Sequence, residues 1–246
     1  RAERVLIENA ESLLQALREC APADRLEIRR VLDTITQGQE LDLGRFGTAS
    51  EDRIAALGSD ADLDAYAYCV AGCVGEFWTK MCRVHVFPSA PLDEETLLAN
   101  GVRLGKGLQL VNILRDLPED LRQGRCYIPA DRLAEHGLRP RDLLDAGTAD
   151  RFRPLLDSYL ELAENHLSAG WRYTTMLPFA CARVRMACAW PVLIGMKTLA
   201  RLRSGNVLDG RYRIKLSRSE VRGLVLRTLI LYPVPAAWKR LLRARD

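Results

Sequence analysis

Apolar residues recur three and four positions apart along almost the whole chain, and this helical period is the strongest constraint on the fold. Tyr66, Val70, Val74 and Phe77 illustrate it. Helices are predicted near residues 5–17, 24–43, 63–86, 93–114, 151–173, 180–203 and 217–231. No strand-like alternation persists, so we predict an all-α fold. Its 246 residues can bury a full-sized core, and residues 1–246 are predicted to form one domain.

Local signals refine the helix boundaries. Asp24 is placed to cap the second helix, and the acidic cluster at 93–95 suits the positive end of the fourth. Residues 122–148 are rich in Gly, Pro and Asp, which predicts an irregular segment with short helical pieces. Pro118 should disturb the helix that contains it.

The composition restricts the function classes. Hydrophobic residues make up 48% of the chain, but charged residues such as Lys197 interrupt the apolar runs, so no membrane span is predicted. The absence of a leader pattern and the seven scattered cysteines favour a cytoplasmic protein with reduced thiols. The net charge is +4, with the basic excess late in the chain. This charge suits an anionic small molecule or an anionic membrane surface, whereas no motif supports nucleic-acid binding.

One helix carries a polar face with a chemical meaning. Gln109, Asn112, Asp116 and Asp120 are three or four residues apart, which places their side chains on the same side of a helix. Two carboxylates one turn apart repel each other, and oxygen ligands of this kind suit Mg²⁺. A solvated surface face explains the spacing equally well. Because Pro118 lies between the two aspartates, Asp116 is the better candidate ligand.

Two longer motifs resemble a known family. The segment Gln109–Asp120 (QLVNILRDLPED) is similar to the second aspartate-rich motif of squalene and phytoene synthases. The segment Tyr66–Gly75 (YAYCVAGCVG) resembles their YCxxVAGxVG signature, with Ala67 in place of the first cysteine. Order and spacing also agree, and the likeness thins after Arg125.

The resemblance implies a helical bundle around a central apolar cavity, in which two prenyl diphosphates are joined head to head. It implies Mg²⁺ as cofactor with Asp116 and Asp120 as metal ligands, and Tyr66 as the catalytic residue. Arg213 and Lys215 would contact the phosphate of NADPH. The implied substrate-binding residues are Gln109, Asn112, Arg115, Glu119, Arg125, Val70, Gly72, Cys188 and Pro191.

The segment Cys188–Pro191 (CAWP) looks more like squalene synthases, and bacterial ones in particular, than phytoene synthases. The resemblance therefore favours condensation of two farnesyl diphosphates through presqualene diphosphate to squalene, with reduction by NADPH. A phytoene or dehydrosqualene synthase, and an enzyme that stops at presqualene diphosphate or hydroxysqualene, stay open. A class I terpene cyclase and a non-catalytic helical scaffold are the alternatives from other classes.

Two further expectations concern the chain's surroundings. The family uses two aspartate-rich motifs, and we expect the first to lie before Arg1, because Gln37–Leu43 better matches a later GMxMDL-like stretch. The chain is thus expected to be incomplete at its N-terminus. Ile230, Leu231, Trp238 and the terminal basic residues could hold the protein at the inner face of a membrane. The oligomeric state is open.

Overall fold

Helices account for nearly all regular structure in the computed structural model, which describes residues 4–5, 8–211 and 214–242. This confirms the predicted all-α fold. The α-helices of the described residues are α1 (Ala10–Glu19), α2 (Pro22–Phe46), α3 (Asp60–Ala67), α4 (Cys73–His85), α5 (Glu94–Arg122), α6 (Ala130–Glu135), α7 (Ala149–Met176), α8 (Ala182–Ser204), α9 (Arg218–Leu231) and α10 (Pro235–Lys239). A π-helical turn (Tyr68–Gly72) joins α3 to α4, and 3₁₀ turns span Pro140–Leu144, Ala146–Thr148 and Arg240–Leu242.

Short polar side chains cap several of these helices. Ser59 and Ser217 form capping boxes at α3 and α9, and Asp93 accepts a hydrogen bond from a backbone N–H of the first turn of α5. Such caps contribute about 1 kcal/mol each. Asp24, expected to cap α2, instead lies in its first turn, because α2 already begins at Pro22. Proline suits the first position of a helix, where its missing N–H has no intrahelical partner.

The expected disturbance at Pro118 does not occur, and α5 continues to Arg122. Proline removes one backbone hydrogen bond from a helix interior and costs about 3 kcal/mol there. Leu114, Leu117 and Leu121 are almost fully buried on either side of it. Burial of each such side chain stabilises the helix by about 1.5–3 kcal/mol, which outweighs the lost hydrogen bond.

Helix α5 lies at the centre of the molecule, packed against α4, α7 and α8. Its buried residues extend from Leu97 to Leu121, and the core continues through Phe152, Leu160 and Leu199 of α7 and α8. A central helix surrounded by others must be apolar on most sides.

Two short strands were not predicted. Ala55–Ala56 pairs in parallel with Arg125–Cys126. Strands of two residues cannot show an alternating pattern, so no sequence signal marks them. The pairing fixes the backbone at Arg125, just after α5 ends.

Trp238 does not lie at the surface of the protein. Trp238 is 1% exposed and stacks on Trp171 with ring centroids 4.9 Å apart, so its expected role at a membrane surface is wrong. Within residues 4–5, 8–211 and 214–242, no helix combines the length and apolar character needed to cross a membrane.

Candidate active site

The polar face of α5 lies at its C-terminal end. Asn112 is exposed and Gln109 is partly exposed, while Asp116 and Asp120 are both partly buried. Because α5 is continuous through this stretch, all four side chains belong to one helical face, as their spacing predicts.

The two carboxylates of this face repel each other. Burial and, next in size, the negative charge of Asp116 together raise the pKa of Asp120 to about 6, and Arg125 opposes the shift. A raised carboxyl pKa means that the ionised form is poorly stabilised by its surroundings. A cation bound between the two carboxylates would remove that deficit.

The donor set fits Mg²⁺ in part. Oxygen ligands from one or two carboxylates, completed by water and substrate phosphates, are typical for this ion. Among the described residues no group of three or more His, Cys, Asp or Glu side chains is arranged to hold a metal. Asp116 and Asp120 would therefore supply only part of a coordination shell, with phosphate oxygens among the remaining ligands.

Arg115 lies beside this pair. Its guanidinium Nε is 2.9 Å from Asp116 Oδ1, and its Nη2 also contacts the same carboxylate. The hydrogen bond to Asp116 raises the pKa of Arg115, so the guanidinium is positively charged. It neutralises much of the negative charge of Asp116. It is also close enough to contact a phosphate group that a cation would hold at the two carboxylates.

A second cluster, centred on Tyr66, adjoins the first. The Tyr127 hydroxyl donates to Asp42 Oδ1 at 2.9 Å, and Arg125 Nη1 is 3.7 Å from Asp42 Oδ2. The rings of Tyr66 and Tyr127 stack with centroids 4.8 Å apart. Burial raises the pKa of Tyr66, and Asp42 and Asp120 raise it further, so the phenol stays protonated at neutral pH.

Two members of this Tyr66 cluster, Asp42 and Tyr127, were not predicted as site residues. Asp42 belongs to the Gln37–Leu43 stretch that was matched to a family motif, so a signal for it existed. Helix α2 reaches the cluster because Gly38 lets it lie against the π-helical turn, where a Cβ at Gly38 would be 2.7 Å from Cys69 Cβ. No comparable signal marked Tyr127.

An apolar cavity of about 340 Å³ opens beside the middle of α5. Three residues implied as substrate-binding, Val70, Cys188 and Pro191, lie on its wall. Burial raises the pKa of the Cys188 thiol to about 12, so this residue acts as a neutral apolar surface. The other lining residues are Ala71, Val74, Gly75, Trp78, Gly101, Leu104, Gly105, Leu108, Tyr173 and Ala187.

Glycines bring α5 against α4 and the π-helical turn at the floor of this cavity. A Cβ at Gly75 of α4 would lie 2.0 Å from the Gly101 carbonyl oxygen, and one at Gly105 would lie 2.1 Å from the oxygen of Ala71 in the π-helical turn. Helix α5 therefore touches both elements backbone to backbone. Gly72 is buried in the same contact and is not part of the cavity wall.

The cavity and the carboxylates are consecutive along α5. Leu104 and Leu108 line the cavity, and Asp116 follows Leu108 by eight residues, or about 12 Å along the helix. One helix thus carries an apolar wall at its middle and a pair of carboxylates near its end. This arrangement suits an elongated molecule with an apolar chain and an anionic head.

The remaining predicted residues lie at the edge of the site. Glu119 is exposed near the end of α5. Lys215 is exposed, and its carbonyl accepts a hydrogen bond from Arg201. The loop before it reaches the same end of α5, because a Cβ at Gly210 would meet the Arg122 side chain. Arg213 lies outside the described residues.

Comparison with known proteins gives the family. The sequence profile described as squalene/phytoene synthase matches residues 1–220. The chain therefore belongs to the squalene/phytoene synthase family, as its motifs predict.

Named relatives agree with this assignment. The chain is 30% identical over 179 residues to a chloroplastic phytoene synthase of an Oncidium hybrid cultivar, covering 73% of this chain and 40% of the relative. It is 32% identical over 170 residues to a bifunctional lycopene cyclase/phytoene synthase of Arthroderma gypseum, covering 66% of this chain and 27% of the relative. The chain thus spans less than half the length of these curated relatives.

Solved structures share the fold. A complex of TcSQS with the ligand BPH1237 matches with a TM-score of 0.73 and 21% identity, covering 99% of this chain and 69% of that one. The squalene synthase HpnC from Alicyclobacillus acidocaldarius matches with a TM-score of 0.59 and 20% identity, covering 72% and 60% of the two chains. At these identities the likeness concerns the fold alone.

Proposed function

We propose that this protein joins two prenyl diphosphates head to head in a Mg²⁺-dependent reaction. The observation that carries the proposal is the layout of α5, where an apolar cavity is followed within about 12 Å by a pair of carboxylates. The family assignment supports the same reaction class.

The polar end of α5 would hold the diphosphate. Bound Mg²⁺ would supply positive charge to the leaving group, with Asp116 and Asp120 as its protein ligands. Arg115 and Arg125 lie on either side of the carboxylates in sequence and would contact phosphate oxygens. Gln109 and Asn112, on the same face, would donate further hydrogen bonds.

The chemistry begins when the C–O bond to diphosphate breaks and leaves an allylic carbocation. The double bond of the second prenyl diphosphate attacks this cation, and one proton is lost as a cyclopropylcarbinyl diphosphate forms. Tyr66 is partly buried, stacks on Tyr127 and lies within the electrostatic influence of Asp42 and Asp120, and its hydroxyl would assist proton removal. The apolar walls around Val70 and Cys188 exclude water that would otherwise quench the cation.

The finer proposal is squalene formation from two farnesyl diphosphates. It relies on the Cys188–Pro191 segment, two of whose residues line the cavity. Loss of the second diphosphate would then be followed by hydride transfer from NADPH, with Lys215 and Arg213 near its phosphate. The exposed position of Lys215 supports contact with an anion.

Phytoene formation is the second candidate, because the curated relatives named above are phytoene synthases or contain that activity in their name. It would use longer prenyl diphosphates and end by proton loss, with no reductant. The two candidates differ in substrate length and in the need for NADPH.

Product analysis tests these proposals. The full-length protein is incubated with Mg²⁺ and either farnesyl or geranylgeranyl diphosphate, with NADPH added or omitted. A C30 hydrocarbon formed only with NADPH supports squalene synthesis, while a C40 hydrocarbon without reductant supports phytoene synthesis. A product that stays at presqualene diphosphate or hydroxysqualene would place the chain among the partial synthases. If neither substrate releases diphosphate, the protein acts as a non-catalytic helical scaffold.

A further inference from the structure

The charge of this protein is divided along its sequence. Residues 165–242 contain fourteen Lys and Arg residues but only two acidic ones, Asp209 and Glu220, although the whole chain has a net charge of only +4. Asp209 is paired with Arg211, and Glu220 with Arg201. The last third of the chain is therefore strongly basic, while the preceding part is net acidic.

Exposed apolar side chains form a patch on that positive region. Its members are 49–65% exposed, which is unusual for large apolar residues near the end of a packed helix. We call them the α9 patch: Phe179, Leu226, Leu229, Ile230 and Val234.

The α9 patch is held rigidly by the core beneath it. The Phe179 and Tyr232 rings stack with centroids 4.7 Å apart, and the Tyr232 hydroxyl hydrogen-bonds the Phe179 carbonyl. Arg185 is 94% buried below them, with its guanidinium 4.6 Å from the Trp238 ring and 5.4 Å from the Tyr232 ring. The loop before α8 and the turn after α9 are thereby joined into one surface.

Basic residues continue the same face of α9. Residues at helical spacing place Arg218 and Arg222 in line with Leu226 and Leu229, and all four side chains are exposed. The single acidic residue of α9, Glu220, faces Arg201 on the neighbouring helix. The exposed face thus runs from cationic to apolar with no negative charge on it.

We propose that the α9 patch docks the protein on an anionic lipid bilayer. An amphipathic helix that combines exposed leucine-type side chains with arginines lies in the interface of such membranes. Each basic residue near an anionic surface strengthens binding about fivefold, and the net acidic remainder of the chain would orient the molecule with α9 toward the lipid. The inference does not depend on the reaction catalysed.

Vesicle co-sedimentation without substrate or Mg²⁺ tests this docking surface. Wild-type protein should bind vesicles containing phosphatidylglycerol and bind pure phosphatidylcholine vesicles far more weakly. The double variant Leu229→Ser/Ile230→Ser should lower the partition coefficient at least about tenfold. The matched control is Leu26→Ser/Leu32→Ser on α2, whose side chains are 50% and 49% exposed on a helix with five acidic and four basic residues and hence no net positive charge. It should bind like wild type.

Two further measurements test the contribution of charge to vesicle binding and the self-association of the protein. Arg218→Gln/Arg222→Gln should weaken binding about fivefold per charge removed, and added salt should weaken wild-type binding. The proposal is overturned if wild type ignores anionic vesicles, or if the α2 control loses as much binding as the α9 variant. It is also overturned if sedimentation equilibrium shows a wild-type dimer that Leu229→Ser/Ile230→Ser dissociates, because the patch is then an interface between two copies.

Discussion

The middle and the C-terminal end of α5 are built by different forces. The middle, at Gly101–Leu108, touches α4 and the π-helical turn backbone to backbone and leaves no room for a side chain at Gly105. The end, at Asp116–Arg122, carries charged side chains that repel or neutralise one another. The middle is fixed by the shape of the packed backbones, whereas the end is governed by charge. Substitutions should therefore affect stability in one half and turnover in the other.

The largest effect is expected at the charged end. Asp116→Asn removes a metal ligand and should lower diphosphate release by about 10²–10³-fold, because charge stabilisation of a leaving group is worth several kcal/mol. Thermal stability should change little. Asp157→Asn, an exposed carboxylate on α7, is the control and should keep full activity. Retained turnover in Asp116→Asn would exclude this residue from the metal site.

In the middle of α5 the expected effect is on stability. Gly105→Ala places a Cβ about 2 Å from a backbone oxygen and should lower the free energy of unfolding by about 1–3 kcal/mol in urea titrations. Gly44→Ala in α2 is the matched control, since nothing lies within 4 Å of a Cβ there. It should be stabilising by about 0.5–1 kcal/mol. Equal responses at the two glycines would contradict the close helix contact.

The Tyr66 cluster lies between these extremes, and Tyr127→Phe probes it. The change leaves the partly buried Asp42 carboxylate without its hydrogen-bond donor at 2.9 Å, which should cost about 1–2 kcal/mol of stability. Phe keeps the ring stacking, but Tyr66 loses its hydrogen bond with the Tyr127 hydroxyl, so turnover should fall about tenfold while KM for the prenyl diphosphate stays the same. An unchanged turnover number with reduced stability would limit Tyr127 to a structural role.

The smallest effect concerns pH. The pKa of Asp120 is raised from 3.8 to about 6, so the folded state binds its proton more tightly than the unfolded state. The metal-free protein should therefore lose stability as pH rises from about 4 to about 6, by about 1 kcal/mol once partial solvent exposure is considered. Asp120→Asn should lack this component in urea titrations across that range. Identical pH profiles for both proteins would show that neither burial nor Asp116 destabilises the ionised Asp120 carboxylate in the folded state.

The sequence predicted the helices and the α5 face because both depend on local spacing. Asp93 and Ser217 mark helix starts through side-chain caps, which act within one turn. The course of α5 through Pro118 could not be predicted, since it depends on burial against three other helices. Local propensity and tertiary packing oppose each other there, and packing is the larger contribution.

The residues of the candidate site could be predicted only where they belong to a motif. Tyr66, Asp116 and Asp120 belong to long matched segments. Asp42 and Tyr127 meet only because α2 crosses the π-helical turn and two short strands align Arg125 beside them. Contacts between residues 85 positions apart leave no periodic signal in one sequence.

The π-helical turn at Tyr68–Gly72 has a consequence for how this gene can vary. It holds one residue more than an α-helix of the same length, with the Cys73 N–H bonded to the Tyr68 carbonyl. Because the wide turn absorbs that extra residue, deleting one residue there would restore a regular α-helix and keep Tyr66 oriented toward α4 much as before. The same deletion elsewhere in the helix would rotate Tyr66 by about 100° relative to the residues of α4. The turn is thus the place where the gene can lose a codon without separating Tyr66 from Tyr127, while Val70 and Ala71 of the cavity wall would shift.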